Sequence, residues 1–201
     1  MIKNFITEQN FAFTNLIHKN AKNGITVAEI GSFDGSTTIG YVKTIKKNKG
    51  KIYIVDWFKG NLNVVGPHGY NEDNHELILK QFKTNLSEYL DIIEIKDGKS
   101  QDMIPLIPDN SLDICFIDAD HAYDSVYSDI KLCIPKVKKG GFLCGHDFEG
   151  FEFVNETKDP NILNKDCTGN PPRHQGVIQA TFDHFGYDIE LIGFNTWIKQ
   201  L

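Results

Sequence analysis

Apolar and polar positions along the chain change period several times. Residues 3–22 carry Phe5, Ile6, Phe13, Leu16 and Ile17 among polar neighbours, a loosely helical spacing that Asn23-Gly24 stops. From there strand-like apolar runs alternate with helical stretches. Strands are expected at residues 25–30, 51–55, 91–95, 112–117 and 141–145, and helices near 36–47, 72–86 and 122–133, the last closing at Pro135. Alternation of this kind predicts a parallel sheet covered by helices on both faces. The end breaks the rhythm: residues 188–192 and 196–200 are strand-like, and only Gly193-Phe194-Asn195 separates them, a link short enough only for an antiparallel hairpin. Two stretches, 60–71 and 148–174, look irregular, the second holding Pro160, Pro171 and Pro172. Both follow predicted strands at their carboxyl ends, where open α/β sheets bind ligands, so they are candidate lids. The chain reads as one α/β domain over 1–201, with no internal repeat or low-complexity segment.

Charge and cysteine content narrow the classes. Asp and Glu outnumber Lys and Arg, 27 to 21, and the basic residues are scattered apart from Lys46, Lys47, Lys49 and Lys51, which read as the end of a solvated helix. Nucleic acid is therefore not an expected partner, because phosphate binding needs a concentrated basic face. Cys115, Cys133, Cys144 and Cys167 show no CxxC spacing, and two of them sit in strand-like runs, which suits reduced core thiols. The first residues do not read as a signal peptide and no apolar run reaches membrane-spanning length. A cytoplasmic protein with no membrane partner is expected, with a homo-oligomer left open.

Chemistry enters where the strands end. In Glu29-Ile30-Gly31-Ser32-Phe33-Asp34-Gly35-Ser36 a strand stops, the chain turns on two glycines, and a helix starts at a Ser/Thr-rich end. Glycines there let a ligand lie against the main chain. The spacing is GxxxG after an acid, not the dinucleotide GxGxxG, and Glu29 suits a ligand carrying positive charge better than a pyrophosphate. Asp56, followed by Trp57, ends the second strand, where a carboxylate in nucleoside-binding folds accepts ribose hydroxyls. Lys96-Asp97-Gly98-Lys99-Ser100 follows the third strand, where an adenine edge would lie. Each of these also passes singly for ordinary strand-end structure. Together the three ends favour S-adenosylmethionine, its methionine part on the glycine turn and Asp118, which ends the fourth strand, among its contacts.

The densest segment is Cys115-Phe116-Ile117-Asp118-Ala119-Asp120-His121-Ala122-Tyr123, followed after a helix by Lys139-Gly140-Gly141-Phe142-Leu143-Cys144-Gly145-His146-Asp147-Phe148. Adjoining parallel strands would bring Asp118 and Asp147 to one rim. The pattern FIDxDHxY, a helix, then KGGxxxGHD resembles the TylF/macrocin and cephalosporin-hydroxylase-like branch (methyltransferase 24-like) of class I S-adenosylmethionine-dependent methyltransferases. It covers roughly residues 24–148, with a weaker echo in Gln175-Gly176-Val177-Ile178-Gln179-Ala180. The resemblance implies a Rossmann-like, mostly parallel seven-stranded sheet with helices on both faces and a C-terminal antiparallel hairpin. It also implies O-methylation of a small polar acceptor, a sugar or natural-product glycoside, with divalent metal ligands at Asp118, His146 and Asp147. His146 departs from the oxygen donor usual at the middle position, which weakens the case for magnesium and leaves manganese or another softer ion open beside it. In the other reading Asp118 and Asp147 hydrogen-bond the substrate directly.

His121 corresponds to the general base of sugar methyltransferases that resemble this chain, and its ordinary pKa near neutrality suits removal of a hydroxyl proton. The bland alternative has His121 capping the next helix. His146 is the reserve base, and His68, His75, Arg173 and His174 are candidate acceptor contacts. Two rivals stand beside this reading: an NAD-dependent oxidoreductase on the same sheet, which lacks GxGxxG here, and an S-adenosylmethionine-binding protein without catalysis.

Overall fold

A computed structural model describes residues 11–60, 69–193 and 195–201. Seven strands form one sheet in the order β3-β2-β1-β4-β5-β7-β6. They are β1 (Thr26–Ile30), β2 (Lys51–Asp56), β3 (Ile93–Asp97), β4 (Leu112–Ile117), β5 (Val137–Gly145), β6 (Glu190–Ile192) and β7 (Thr196–Gln200). The first five run parallel, and β7 lies antiparallel between β5 and β6. The hairpin expected at the end of the chain is thus present, although its Phe194 lies outside the described residues. An antiparallel strand inserted next to β5 also departs from the 3-2-1-4-5-6 order of dinucleotide-binding sheets.

Helices cover the sheet on both sides: α1 (Phe11–Lys19), α2 (Ser36–Lys47), α3 (Asn74–Asn85), α4 (Ser100–Met103), α5 (Tyr123–Cys133), α6 (Pro160–Leu163) and α7 (Gln175–Phe185). Side chains alternate across a strand, so a strand buried on both faces reads as an unbroken apolar run. In β1 and β4, Ala28, Ile30, Cys115 and Ile117 face one core with Val126, Ile130 and Ile178 of α5 and α7. Val27, Ile114 and Phe116 face the other, with Phe13, Tyr41 and Val42 of α1 and α2. Phe13 stacks on Phe116 at 4.1 Å between ring centroids. Each such fully buried side chain is worth about 1.5–3 kcal/mol relative to exposure. Glu29 has the parity of Val27 and therefore points into the second core, toward α2.

Some expected boundaries are corrected. The third strand begins at Ile93, not 91, because Ser87–Ile92 is a 3-10 turn whose apolar residues merge with the strand in the sequence. The fifth begins at Val137, not 141: a bulge between the Leu112↔Val137 and Ile114↔Phe142 pairs lets Lys138 and Lys139 run through the strand while breaking its apolar pattern. Of the first helix only Phe11–Lys19 is described; Phe5 and Ile6 lie outside the described residues. So do residues 61–68 of the first candidate lid. Among the described residues no helix is long and apolar enough to cross a membrane.

β1 lies between β2 and β4, so the connections leaving its neighbours diverge to opposite faces and open a crevice at the carboxyl ends.

Candidate active site

The glycine turn after β1 is wedged against the end of β4. The Gly31 N–H donates to the Val55 carbonyl at 2.9 Å and the Asp118 N–H to the Ile30 carbonyl at 2.8 Å. Gly31 has φ +86, and a Cβ there would lie 2.2 Å from the Asp118 carbonyl oxygen. Only glycine allows both the conformation and the approach. Asp56 locks the turn from the other side: one carboxylate oxygen accepts from the backbone N–H groups of Ser32 and Phe33, both at 2.7 Å, and the other from Phe58 at 2.6 Å. Asp34 accepts from the Ser36 N–H and hydroxyl at 3.0 and 2.6 Å, closing the turn into α2 beside Gly35.

Glu29 is fully buried, and one of its oxygens accepts from Thr38 at 2.8 Å and Tyr41 at 2.5 Å. Burial pushes its carboxyl up to about 8 against these hydrogen bonds, so it is largely protonated near neutral pH. Its Oε1 and the Ser32 hydroxyl are buried with no hydrogen-bond partner among the described residues. Two such atoms beside a glycine cradle fit a ligand with hydrogen-bonding groups, as the methionine end of S-adenosylmethionine has. The pH consequence has a definite sign. Between about 4.5, where the unfolded side chain ionises, and about 8, the unfolded chain binds fewer protons, so this residue makes stability fall as pH rises. Glu29→Gln is expected to remove a slope of about 1.4 kcal/mol per pH unit within that window. Urea denaturation of both proteins at several pH values between these limits checks it, and parallel curves would refute the assignment.

Past β2 and β3 lies a cleft of 830 Å³ lined by Trp57, Tyr70, His75, Asp97, Gly98 and Lys99 among others. That is ample for a nucleoside. The Trp57 ring lies 5.2 Å from Tyr70, and its indole N–H donates to the Gly60 carbonyl at 2.8 Å. His75 pairs with Asp97 at 2.8 Å, so it stands at this cleft and away from the acid-rich rim. Ser100 opens α4 near Asp129, a side chain that burial pushes up to about 7.

The rim beyond β4 and β5 gathers the other chemistry. Asp118, His146 and Asp147 offer donor atoms within 4.8 Å of one another. The His146 Nδ1 lies 2.7 Å from an Asp147 oxygen, and its Nε2 is buried with no hydrogen-bond partner among the described residues. An imidazole with one nitrogen on a carboxylate and the other bare fits a divalent cation. The donors are mixed nitrogen and oxygen, which suits manganese or zinc better than magnesium. Asp147 has φ +61, an uncommon conformation for a residue other than glycine and one that concentrates at functional sites.

His121 sits between two acids: its Nδ1 is 2.6 Å from Asp166 and its Nε2 3.1 Å from Asp147. Burial opposes its charged form, but the bonds to Asp147 and Asp166 outweigh it and raise the imidazole well above its ordinary pKa. Asp118 is pushed up to about 6, first by burial and then by the Asp147 charge. Burial also acts against Asp147, yet the bonds to His121 and His146 hold its carboxyl below the usual range. The helix-capping alternative for His121 fails, because both ring nitrogens are engaged by Asp166 and Asp147, and the Asp124 N–H in the first turn of α5 donates to Asn164 at 3.1 Å.

The 148–174 stretch is irregular apart from α6 and a 3-10 turn, Phe151–Phe153, and it brings Glu149, Asp166 and His174 to this rim. His174 bonds Glu149 at 2.6 Å, and its ring meets His121 edge-on at 4.6 Å. Arg173 turns away to Glu156 and lies over the Phe153 ring, so the structure does not bring it to the rim. His68 lies outside the described residues. Asp166 and Glu149 were invisible to sequence reading, being ordinary acids in a stretch without periodicity. The stretch docks because Gly176 opens α7 with no side chain: a Cβ there would stand 2.3 Å from the His121 carbonyl and 2.4 Å from that of Leu163.

Residues 28–148 match the model of a family described as a methyltransferase domain. An uncharacterized protein of Acanthamoeba polyphaga mimivirus is 30% identical over 140 residues, 69% of this chain; the chain spans 58% of that relative's length. Among solved structures, an O-methyltransferase from Bacillus cereus in complex with SAH aligns at TM-score 0.64 and 16% identity, over 98% of this chain and 80% of its own. The O-methyltransferase TomG of Streptomyces achromogenes, in complex with SAM, aligns at 0.63 and 14% over 94% and 77%. At those identities the likeness is one of fold.

Proposed function

The chain belongs to the family of methyltransferase domains, and from that premise we propose that it transfers the methyl group of S-adenosylmethionine to a hydroxyl of a small polar acceptor, a sugar or natural-product glycoside, with a divalent cation at the rim. The observation that carries this reading is the convergence, on adjoining strand ends, of the glycine turn locked by Asp56 with the carboxylate and imidazole cluster at Asp118 and Asp147. Two proteins of the same fold were solved with SAM or SAH bound, which supports the donor. The four free thiols favour a reducing, cytoplasmic setting.

In this reading Asp56 accepts the ribose hydroxyls, Trp57 and Gly98 border the base, and the turn of Gly31, Ser32 and Gly35 takes the methionine end. Glu29 and Ser32 supply the buried oxygens that meet its polar groups. The acceptor oxygen attacks the sulfonium methyl in line, a C–O bond forms as the C–S bond breaks, and S-adenosylhomocysteine leaves. The donor is already activated, so the protein mainly aligns the reactants and removes the hydroxyl proton. Asp166 holds His121 by Nδ1, and Nε2, which rests 3.1 Å from Asp147, is the atom that would carry that proton; the flanking carboxylates favour the imidazolium, so the ring must give up its own proton before it can take the acceptor's. Asp118, His146 and Asp147 would hold the cation, which supplies Lewis acidity that acidifies the acceptor hydroxyl.

Calorimetric titration with S-adenosylmethionine tests the donor site. The wild type is expected to bind, and Asp56→Asn to bind at least about tenfold more weakly, since an amide cannot accept from three backbone donors and the ribose as a carboxylate does; a tenfold change is about 1.4 kcal/mol. No binding by the wild type would sink the methyl-transfer reading.

A further inference from the structure

The rim holds more ligand-type donors than one cation can use. Besides Asp118, His146 and Asp147, a second group of Asp147, Glu149 and His174 has its donor atoms within 4.8 Å of one another. The His174 Nδ1 lies 2.6 Å from Glu149 and 3.6 Å from the same Asp147 oxygen that faces His146. Edges of this size bracket those of a coordination shell whose bonds are about 2.0–2.2 Å. The side chains of Asp147, Glu149 and His174 are only 12%, 14% and 21% exposed.

Charge points the same way. Among the described residues no Lys or Arg forms an ion pair with Asp147 or Glu149; imidazoles face both, and the His174 backbone N–H also donates to Glu149 at 3.3 Å. Carboxylates crowded in a poorly solvated rim repel one another unless cations or protons compensate them. One divalent ion at Asp118, His146 and Asp147 leaves Glu149, beyond Asp147, with only the His174 ring and backbone N–H against its charge. The left-handed backbone at Asp147 re-aims the chain after β5 where Asp147 and Glu149 meet His174.

We propose that Glu149 and His174, with Asp147 shared, hold a second divalent cation beside the first, so that the segment after β5 completes a dinuclear centre. It rests on the reading of the rim as a cation site. One imidazole with two carboxylates selects a borderline ion of the manganese or zinc class. His121 stays outside this set, held by Asp166. The second ion would tie residues 148–174 to the sheet and give the acceptor oxygens two points of attachment.

The test is metal content, independent of turnover. The metal-stripped 201-residue chain is dialysed against Mn2+, and bound metal is counted by mass spectrometry and examined by electron paramagnetic resonance. The wild type is expected to hold close to two ions per chain with an exchange-coupled signal. Glu149→Gln and His174→Ala are each expected to hold close to one, with the six-line signal of an isolated ion, as is Asp118→Asn; thermal melting shows that each variant is folded, and Glu149→Gln is the mildest of them. One ion in the wild type, unaffected by Glu149→Gln, would overturn the proposal. So would one ion lost in both Glu149→Gln and Asp118→Asn, since all the donors would then serve a single centre. No bound ion at all would remove both centres while leaving methyl transfer to be judged by the S-adenosylmethionine titration.

Discussion

His121→Ala is expected to lower turnover by about two to four orders of magnitude while leaving the affinity for S-adenosylmethionine nearly unchanged. The imidazole stands on the loop after β4, bonded to Asp147 and Asp166, whereas the donor groups assigned to the cofactor lie on the turn after β1 and the end of β2. On the proposed reading, removing it takes away the proton acceptor without touching Asp56 or Gly31. It also leaves the partly buried carboxylates of Asp147 and Asp166 facing each other without the ring between them, so a loss of stability is expected too. Turnover must therefore be compared at a temperature where melting curves show both proteins folded. The split between kcat and cofactor affinity is the informative result: a variant with wild-type kcat would remove His121 from the proton transfer, and a variant that lost both together would make the residue structural. Asp166→Asn should produce a smaller loss, because an amide oxygen still accepts from Nδ1 but carries no charge to favour the imidazolium.

The parts of the molecule that depend on period were legible in the sequence. Apolar runs buried on two faces announced β1, β2 and β4, and the short link between the last two runs left only a hairpin for β6 and β7. Where two local structures share one apolar run, as in the 3-10 turn that leads into β3, composition could not place the boundary. The candidate site was legible to the extent that its residues sit beside strand ends: Asp56, Asp118, His121, His146 and Asp147 all do. Glu29 was legible as a special acid but its direction was not, since the parity that turns it into the core beside Tyr41 follows from which face α2 covers. Asp166 and Glu149 were not legible at all. Nothing local marks a carboxylate 45 residues from its imidazole, and the contact depends on how an irregular stretch returns to the sheet through a glycine at the start of α7.

Gly31→Ala is expected to destabilise the fold by about 2–5 kcal/mol and to abolish cofactor binding in whatever fraction remains folded. The backbone conformation there costs an L-residue about 1–2 kcal/mol, and filling a closely packed site adds about 1–3 kcal/mol. The steric part is unusually hard to relieve. The new methyl would stand 2.2 Å from the Asp118 carbonyl oxygen and 2.6 Å from both its carbonyl carbon and the Ala119 Cα, all main-chain atoms. They can retreat only if the ends of β1 and β4 part, which strains the Asp118 N–H bond to Ile30 and displaces Asp118 together with the start of the His121 loop. Gly24 supplies the control, because it too has a positive φ, +73, but a Cβ there would meet nothing within 4 Å. Gly24→Ala should therefore show the conformational cost alone and leave S-adenosylmethionine binding intact. Urea denaturation of the two variants, read beside calorimetric titration, separates the contributions: a larger loss in Gly31→Ala measures the clash between the turn and β4. Equal losses, with binding retained in both, would mean that the strand ends yield freely and that the close approach of Gly31 to Asp118 does not shape the cofactor site.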